Sequence, residues 1–494
     1  MTLDDLLQGD ARPALAAPGR FTLTYRELAA AARTIGAMLV ARGYAPGEKV
    51  AASFVNGPEI VAAFFGVAGA RLTFAPLNSA YTQDEFTFYL EDIAPRAILL
   101  APGTVPAARA AAAALGIDVI DLQLPLAEPA DHERRAEDGD VALFLHTSGT
   151  TSRPKGVPLT HANLTASAGN MMRWYSLTAD DVSLCVMPLF HVHGIVFSTL
   201  AVLGAGGSVV VPERFSASAF WPTVFEYNAS IVSAVPTIYR TLLLRADEDK
   251  APHKGEHRLR FLRSSSAPLP ASEMVRLEER FGAPVVEAYS MTEASHQMCA
   301  NPLDGERRPG SVGVGAFVDV AILDEHGTEQ APGTVGEVAV RGPNVTAGYH
   351  NNPAANEASF TNGWFRTGDY GVLDEKGYLT LVGRLKELIN RGGEKISPVE
   401  VDDALMSHPG VAEAVAFAIP DEKYGEAVAA ALVLRDPATT TADVLAHART
   451  RLSAFKVPTS VIVVDSIPRT ATGKVQRRNV AAALADKMTP VTTG

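Results

Sequence analysis

Apolar positions along the first three hundred residues recur at helical spacing in short blocks, and each block gives way to a compact apolar run. "TYRELAAAARTIGAMLVARGYAPGEKVAASF" passes from a helix-period stretch through a Gly/Pro turn into an apolar strand. "EIVAAFFGVAGARLTFAPLN" repeats that succession, and "RAILLAP" and "DVIDL" flank an Ala-rich helix from Val105 to Leu115. Strands that alternate with helices predict an α/β fold with parallel sheets. After about Val314 the pattern changes. "VDVAILDEHGTEQAPGTVGEVAVRGPNV" sets strands between turn signals, which predicts an antiparallel β region. From "GRLKELINRGGEKISP" onward helices and strands alternate again, as in a small α+β domain. The boundary is expected near Arg384 to Lys386, giving a large N-terminal domain over 1–384 and a small C-terminal domain over 385–494.

Length agrees with this division, since 494 residues exceed what one hydrophobic core usually serves. The net charge of −12 comes without any long Lys/Arg run, so a nucleic-acid surface is not expected. The two cysteines, Cys185 and Cys299, form no C-x-x-C pair, which argues against a zinc site or a disulfide framework. The start "MTLDDLLQGDARPAL" does not read as a signal peptide. The most apolar stretch, Ile195 to Val211, is broken by glycines and reads as a buried helix, a turn and a strand rather than a membrane span. A cytoplasmic protein is expected.

The richest local chemistry lies in "HTSGTTSRPKGVPLTH", His146 to His161. An apolar strand, Ala142 to Leu145, runs into a loop of small residues, and Val157 to Leu164 leads into a helical pattern. Backbone N–H groups and the hydroxyls of Thr147, Ser148, Thr150, Thr151 and Ser152 can donate to anionic oxygens. Gly149 lets the backbone approach closely, and Lys155 adds a full charge. The loop is not a Walker motif, because G-x-x-x-x-G-K-[ST] is absent.

"TSGTTSRPKGV" resembles the phosphate loop of the adenylate-forming acyl-CoA synthetase superfamily. Four further stretches match that superfamily in order: "EAYSMTEA" (Glu287 to Ala294), "GWFRTGDYG" (Gly363 to Gly371), "GRLKELINRGGEKISPVEVD" (Gly383 to Asp402) and "PRTATGKVQRR" (Pro468 to Arg478). The resemblance spans nearly the whole chain. It implies a large N-terminal α/β domain, a small mobile C-terminal lid, and three small molecules besides the acid: ATP, Mg2+ and coenzyme A. It also implies a reaction in two halves, in which a carboxylate displaces pyrophosphate to give an acyl-adenylate and coenzyme A then expels AMP.

The same resemblance assigns residues. The 147–156 loop holds the β- and γ-phosphates. Thr292 contacts the α-phosphate and Glu293 the metal. Tyr289 stacks on adenine, with Glu287, Ala288, Ser266 and Ala267 beside it. Asp369 and Arg384 face the ribose. Lys474 bridges the carboxylate and the α-phosphate during adenylation. Lys386 is the hinge on which the lid turns, bringing Arg391, Gly392, Gly393 and Glu394 toward the pantetheine channel.

Two segments bear on the acid. "MPLFHVHG" supplies His191 and His193, and "LRFLRSSSAPL" supplies Arg263, Ser264 and Ser265 where a strand runs out. Ligands gather at such strand ends in parallel sheets. A guanidinium flanked by hydroxyls suits a second carboxylate, which it can grip bidentately. The opposing expectation is that Arg263 pairs with a structural Asp or Glu. The wording of these segments resembles the oxalyl-CoA synthetase branch, whose acid is a very short dicarboxylate. Malonyl-, medium-chain and 4-coumarate-like synthetases remain alternatives, as does a stand-alone adenylation module that loads a carrier protein. The chain ends soon after Lys474 without a carrier domain, which favours free coenzyme A. Oligomeric state, monomer or dimer, is left open.

Overall fold

The computed structural model describes all residues except 8–9, 127–128, 148–153, 385, 393, 422, 470–474 and 485–494. Four sheets organise the described residues. The first has six strands, of which Asp118–Asp121, Ala97–Leu100, Lys49–Ser53, Thr73–Pro76 and Val141–Thr147 run parallel. Lys155–Thr160 closes its edge antiparallel. The second has nine strands, with a parallel centre that includes Val182–Leu184, Ile231–Ala234, Phe261–Ser265 and Val285–Met291. The expected alternation of helix and strand is therefore present as parallel sheet.

The helices start where the sequence offers caps. Thr24 accepts from the backbone of Glu27, whose carboxylate reaches back to Thr24, and Thr160 and Asn163 repeat the arrangement ahead of helix His161–Trp174. Helix Pro58–Gly69 is apolar apart from Glu59, which pairs with Arg20, and is buried along its whole length, between neighbours rather than at a surface. Ile195 to Val211 folds as expected. His193–Ala201 forms π-helical turns, Val202–Gly204 continues as α-helix, and Ser208–Val210 is a strand.

The antiparallel region is a five-stranded sheet containing Asp319–Leu323, Val335–Arg341, Trp364–Leu373 and Leu379–Arg384. The next strand, Ile389–Arg391, already belongs to a different five-stranded sheet with Glu394–Ile396, Val411–Asp421, Gly425–Leu434 and Ser460–Val463. That sheet has its own core, built on Ile389, Val401, Leu405, Ala416, Val428 and Leu432. The change of sheet and core thus falls between Arg384 and Ile389. Among the described residues no helix is long and apolar enough to cross a membrane.

One local expectation is corrected. Val157 does not lead directly into a helix. Residues 155–160 return as a strand, and the helix begins only at His161. Val157 and Leu159 alternate with Pro158 and pack inward, which is strand periodicity too short to stand out in the sequence.

Candidate active site

The hydroxyl-rich segment therefore connects the two strands of a hairpin. Thr147 pairs with Lys155 and His146 with Gly156 at its root. Gly156 is required there, because a Cβ would lie 2.4 Å from Phe144 Cζ. Ser148, Gly149, Thr150, Thr151 and Ser152 lie outside the described residues. Lys155 Nζ sits 4.3 Å from the centroid of the Tyr349 ring. Burial holds its ammonium below the ordinary lysine range; nearby Glu293 acts against that shift and Lys386 with it. Tyr349 Oη donates to Glu293 Oε1 at 2.8 Å, and Glu293 Oε2 takes no hydrogen bond among the described residues. Glu293 and Thr292 belong to one 3-10 turn, Thr292–Ala294, directly after strand Val285–Met291. Lys155, Glu293 and Tyr349 thus converge from three separate stretches of chain. A nearly buried carboxylate with one oxygen unbonded among the described residues suits a hard cation such as Mg2+.

The second group is built on Tyr289, Asp369 and Arg384. Tyr289 Oη donates to Asp369 Oδ2, and Arg384 Nε donates to Asp369 Oδ1 at 3.1 Å. Asp369 and Arg384 are register partners on adjacent strands, so the sheet itself sets this pair. Both carboxylate oxygens of Asp369 are engaged by protein, so ribose hydroxyls would share or displace these donors. Glu287 Oε1 accepts from the Leu269 N–H at 3.0 Å, and complete burial pushes its carboxyl up to about 8. Ala288 pairs with Ser265, whose hydroxyl donates to the Ala288 carbonyl at 2.9 Å. Ser266 adopts a positive φ of 71° at the turn after strand Phe261–Ser265, with Ala267 next to it.

The third group surrounds Arg263, which is 0% exposed. Its Nε donates to Tyr175 Oη at 3.0 Å and Gln297 Oε1 at 3.2 Å, its Nη2 to Gln297 Oε1 at 2.9 Å, and its Nη1 to Ser233 Oγ at 3.1 Å. The Phe197 ring covers it, with Cζ 4.6 Å from the centroid. These bonds use three of the five guanidinium N–H groups. Among the described residues no carboxylate lies within ion-pair distance, so the expected alternative of a structural Asp or Glu partner is not what the fold provides. Ser233 Oγ also bonds His193 Nε2 at 2.6 Å, while His193 Nδ1 bonds Ser266 Oγ at 3.1 Å. His296 stacks beside His193 with centroids 4.9 Å apart. His191 belongs to the same turn, its Nδ1 accepting from the His193 N–H at 3.3 Å.

Ser264 is not brought into this cluster. Side chains alternate along strand Phe261–Ser265, so Ser264 lies on the face opposite Arg263 and Ser265. His296 and Gln297 join this cluster without having been expected there, and both lie in "MTEASHQM". Their only signal is that they follow the Thr292–Glu293 turn.

In the C-terminal region Arg391 and Glu394 face each other across a tight hairpin. Gly392 sits at φ +63°, a conformation that favours glycine, and donates its N–H to the Tyr424 carbonyl at 2.8 Å. Lys395 reaches back to the antiparallel sheet, its Nζ 5.3 Å from the Tyr370 ring centroid. Lys386 is exposed in the turn between the two sheets. Gly393 and Lys474 lie outside the described residues.

A large α/β unit, an antiparallel appendage and a small separate C-terminal sheet, with Lys and Glu converging beside a hydroxyl-rich hairpin, define an adenylate-forming ligase. The AMP-binding enzyme family matches residues 7–350, and the AMP-binding enzyme C-terminal domain matches residues 400–474. The oxalate–CoA ligase of Arabidopsis thaliana is 48% identical over 98% of this chain and 99% of its own. The oxalate–CoA ligase of Saccharomyces cerevisiae is 43% identical over 89% and 87%. The crystal structure of ATP-bound MatB from Rhodopseudomonas palustris superposes with a TM-score of 0.91 at 31% identity, covering 99% of this chain and 100% of that one. The chain belongs to the AMP-binding enzyme family. It is an AMP-forming acid–CoA ligase that uses ATP, Mg2+ and coenzyme A.

Proposed function

We propose that this ligase joins oxalate to free coenzyme A in the cytoplasm, through oxalyl-adenylate, with release of pyrophosphate and AMP. The observation that carries the choice of acid is the Arg263 cage, a fully buried cation compensated, among the described residues, only by neutral groups. Burial excludes water, so the charge acts over a short range with little screening. Through Ser233 and His193 a polar chain runs from Arg263 to Ser266, a lining that suits a second carboxylate. A fatty or aromatic acid needs apolar walls where these polar groups lie. The names of the two relatives above agree with this reading.

In the first half-reaction one oxalate oxygen attacks the α-phosphorus and the bond to pyrophosphate breaks. Lys155 and the hydroxyls of 147–152 hold the β- and γ-phosphates. Glu293 holds Mg2+, which when bound neutralises phosphate charge. Thr292 steadies the α-phosphate, Tyr289 packs against adenine, and Asp369 with Arg384 receives the ribose. Lys474 bridges acid and α-phosphate. In the second half-reaction the coenzyme A sulfur attacks the acyl carbon and the bond to AMP breaks. We assign 1–384 as the catalytic core and 385–494 as a lid that turns about Lys386, exchanging Lys474 for the 391–394 hairpin. Pyrophosphate release measured over a panel of acids tests the substrate. Saturation by oxalate with indifference to laurate is expected; the reverse overturns the reading.

A further inference from the structure

The proposed phosphate loop needs a fixed root, and the structure shows what fixes it. His146 is the last residue before Thr147, and its side chain is 7% exposed. Its Nε2 bonds Asp92 Oδ2 at 2.9 Å, and Asp92 lies near the end of helix Gln83–Ile93. Tyr89 of the same helix and Phe144 of the same strand meet the imidazole edge-on, with centroids at 4.9 and 5.3 Å. The opposite foot is held independently, because the His350 N–H donates to the Gly156 carbonyl at 2.9 Å. Lys49 joins the two feet. Its Nζ donates to the Ile93 carbonyl at 3.0 Å and lies 3.4 Å from His350 Nε2. Burial holds the His146 imidazole below its ordinary range, with Asp92 opposing that shift and Lys49 reinforcing it.

We propose that His146 and Asp92 are positioning residues for the adenylating half-reaction. The pair ties the hairpin root to helix Gln83–Ile93, so that the register partners Thr147 and Lys155 are held in place for the triphosphate. An apolar residue would fill the same space against Tyr89 and Phe144. The choice of a histidine with a carboxylate partner implies that direction, not bulk, is what the site needs. The inference rests on the reading of 147–155 as the triphosphate loop.

The test separates the two half-reactions. ATP–pyrophosphate exchange with oxalate reports adenylation, and thiolysis of chemically supplied oxalyl-adenylate by coenzyme A reports the second step. His146→Leu is expected to raise KM for ATP about 10-fold while leaving thiolysis within about twofold. Asp92→Asn is expected to raise it by less, and the double variant by no more than His146→Leu, because two members of one unit are not additive. An unchanged KM for ATP in both single variants, additive effects, or an equal fall in both half-reactions would overturn the proposal. Lys155→Ala, measured alongside, tests the underlying reading. If it leaves KM for ATP unchanged, the loop assignment itself fails, whatever the His146 variants do.

Discussion

Arg263 is fully buried and the Arg477 side chain is only 13% exposed, and their surroundings are opposite. Arg477, in the C-terminal domain, meets Asp402 at 2.6 Å and Glu387 at 3.6 Å and donates to the Ala416 carbonyl. Arg263, in the proposed acid pocket, meets a phenol, an amide and a hydroxyl. Burial holds the Asp402 carboxyl above the usual range even with Arg477 beside it, so the ion pair is expensive to bury and is retained as structure. A cation left without an anion costs more still to bury. The fold tolerates that cost at Arg263, as the proposed role in binding an acidic substrate requires.

The contrast is broken most forcefully at Arg477. Arg477→Met leaves Asp402 buried without its partner, and losing one side of a buried pair costs about 3–5 kcal/mol. The C-terminal domain is expected to melt well below the rest of the chain, read by calorimetry or by proteolysis within 389–463. Arg263→Met should do the reverse. It removes an uncompensated charge and keeps most of the volume, so thermal stability is expected to hold or rise. Yet kcat/KM for oxalate should fall on the order of 10²–10³, since losing a desolvated charge contact costs about 2–5 kcal/mol. A large loss of stability with unchanged acid selectivity would make Arg263 a second Arg477 and remove the basis for oxalate.

The same contrast marks where sequence reading reached and where it stopped. Helix–strand alternation, the change of texture after Val314 and the boundary near Arg384 follow from local periodicity and turn chemistry, which neighbouring residues decide. Thr292, Glu293, Asp369 and Arg384 sit in motifs whose order can be read directly. The cage of Arg263 cannot be read that way. Tyr175, Ser233 and Gln297 lie 88, 30 and 34 positions away and meet only because three parts of the nine-stranded sheet and its covering helix converge. Ser264 could not be separated from Arg263 and Ser265 in the sequence, because a run of three serines hides the pleat. The return strand at 155–160 was hidden by its shortness and by Pro158.

Glu287 sharpens the comparison from the acidic side, as a buried carboxyl with no cation. Its folded pKa of about 8 lies above the ordinary 4.5, with burial the main cause and Asp403, itself pushed up to about 7, adding to it. The folded state therefore binds the proton more tightly than the unfolded one. The stability that this contributes is complete below pH about 4.5 and is lost as pH rises through about 8. Urea unfolding between pH 5 and 9 is expected to show this decline, and Glu287→Gln to flatten it by a few kcal/mol at most. An identical pH slope in the variant would mean that Glu287 is not the group responsible.

Arg240 is the intermediate case, and its expected effect is the smallest. It projects from helix Pro236–Leu244 of the large unit, with Nε 2.6 Å from Glu273 of the same unit and Nη1 3.7 Å from Glu413 of the C-terminal sheet. Glu413 also pairs with Arg469 of its own domain. Each partner of the contact across the seam thus has a closer counter-ion on its own side, so opening the seam strands neither charge. Arg240→Met should weaken lid docking by no more than about 1 kcal/mol, the scale of a partly exposed ion pair. The two half-reactions should respond unequally. If this seam is made only while the acid is adenylated, ATP–pyrophosphate exchange slows a fewfold and thiolysis of supplied adenylate does not. A change above 10-fold in either would show that the charge at Arg240 is coupled to the seam as tightly as Arg477 is to Asp402.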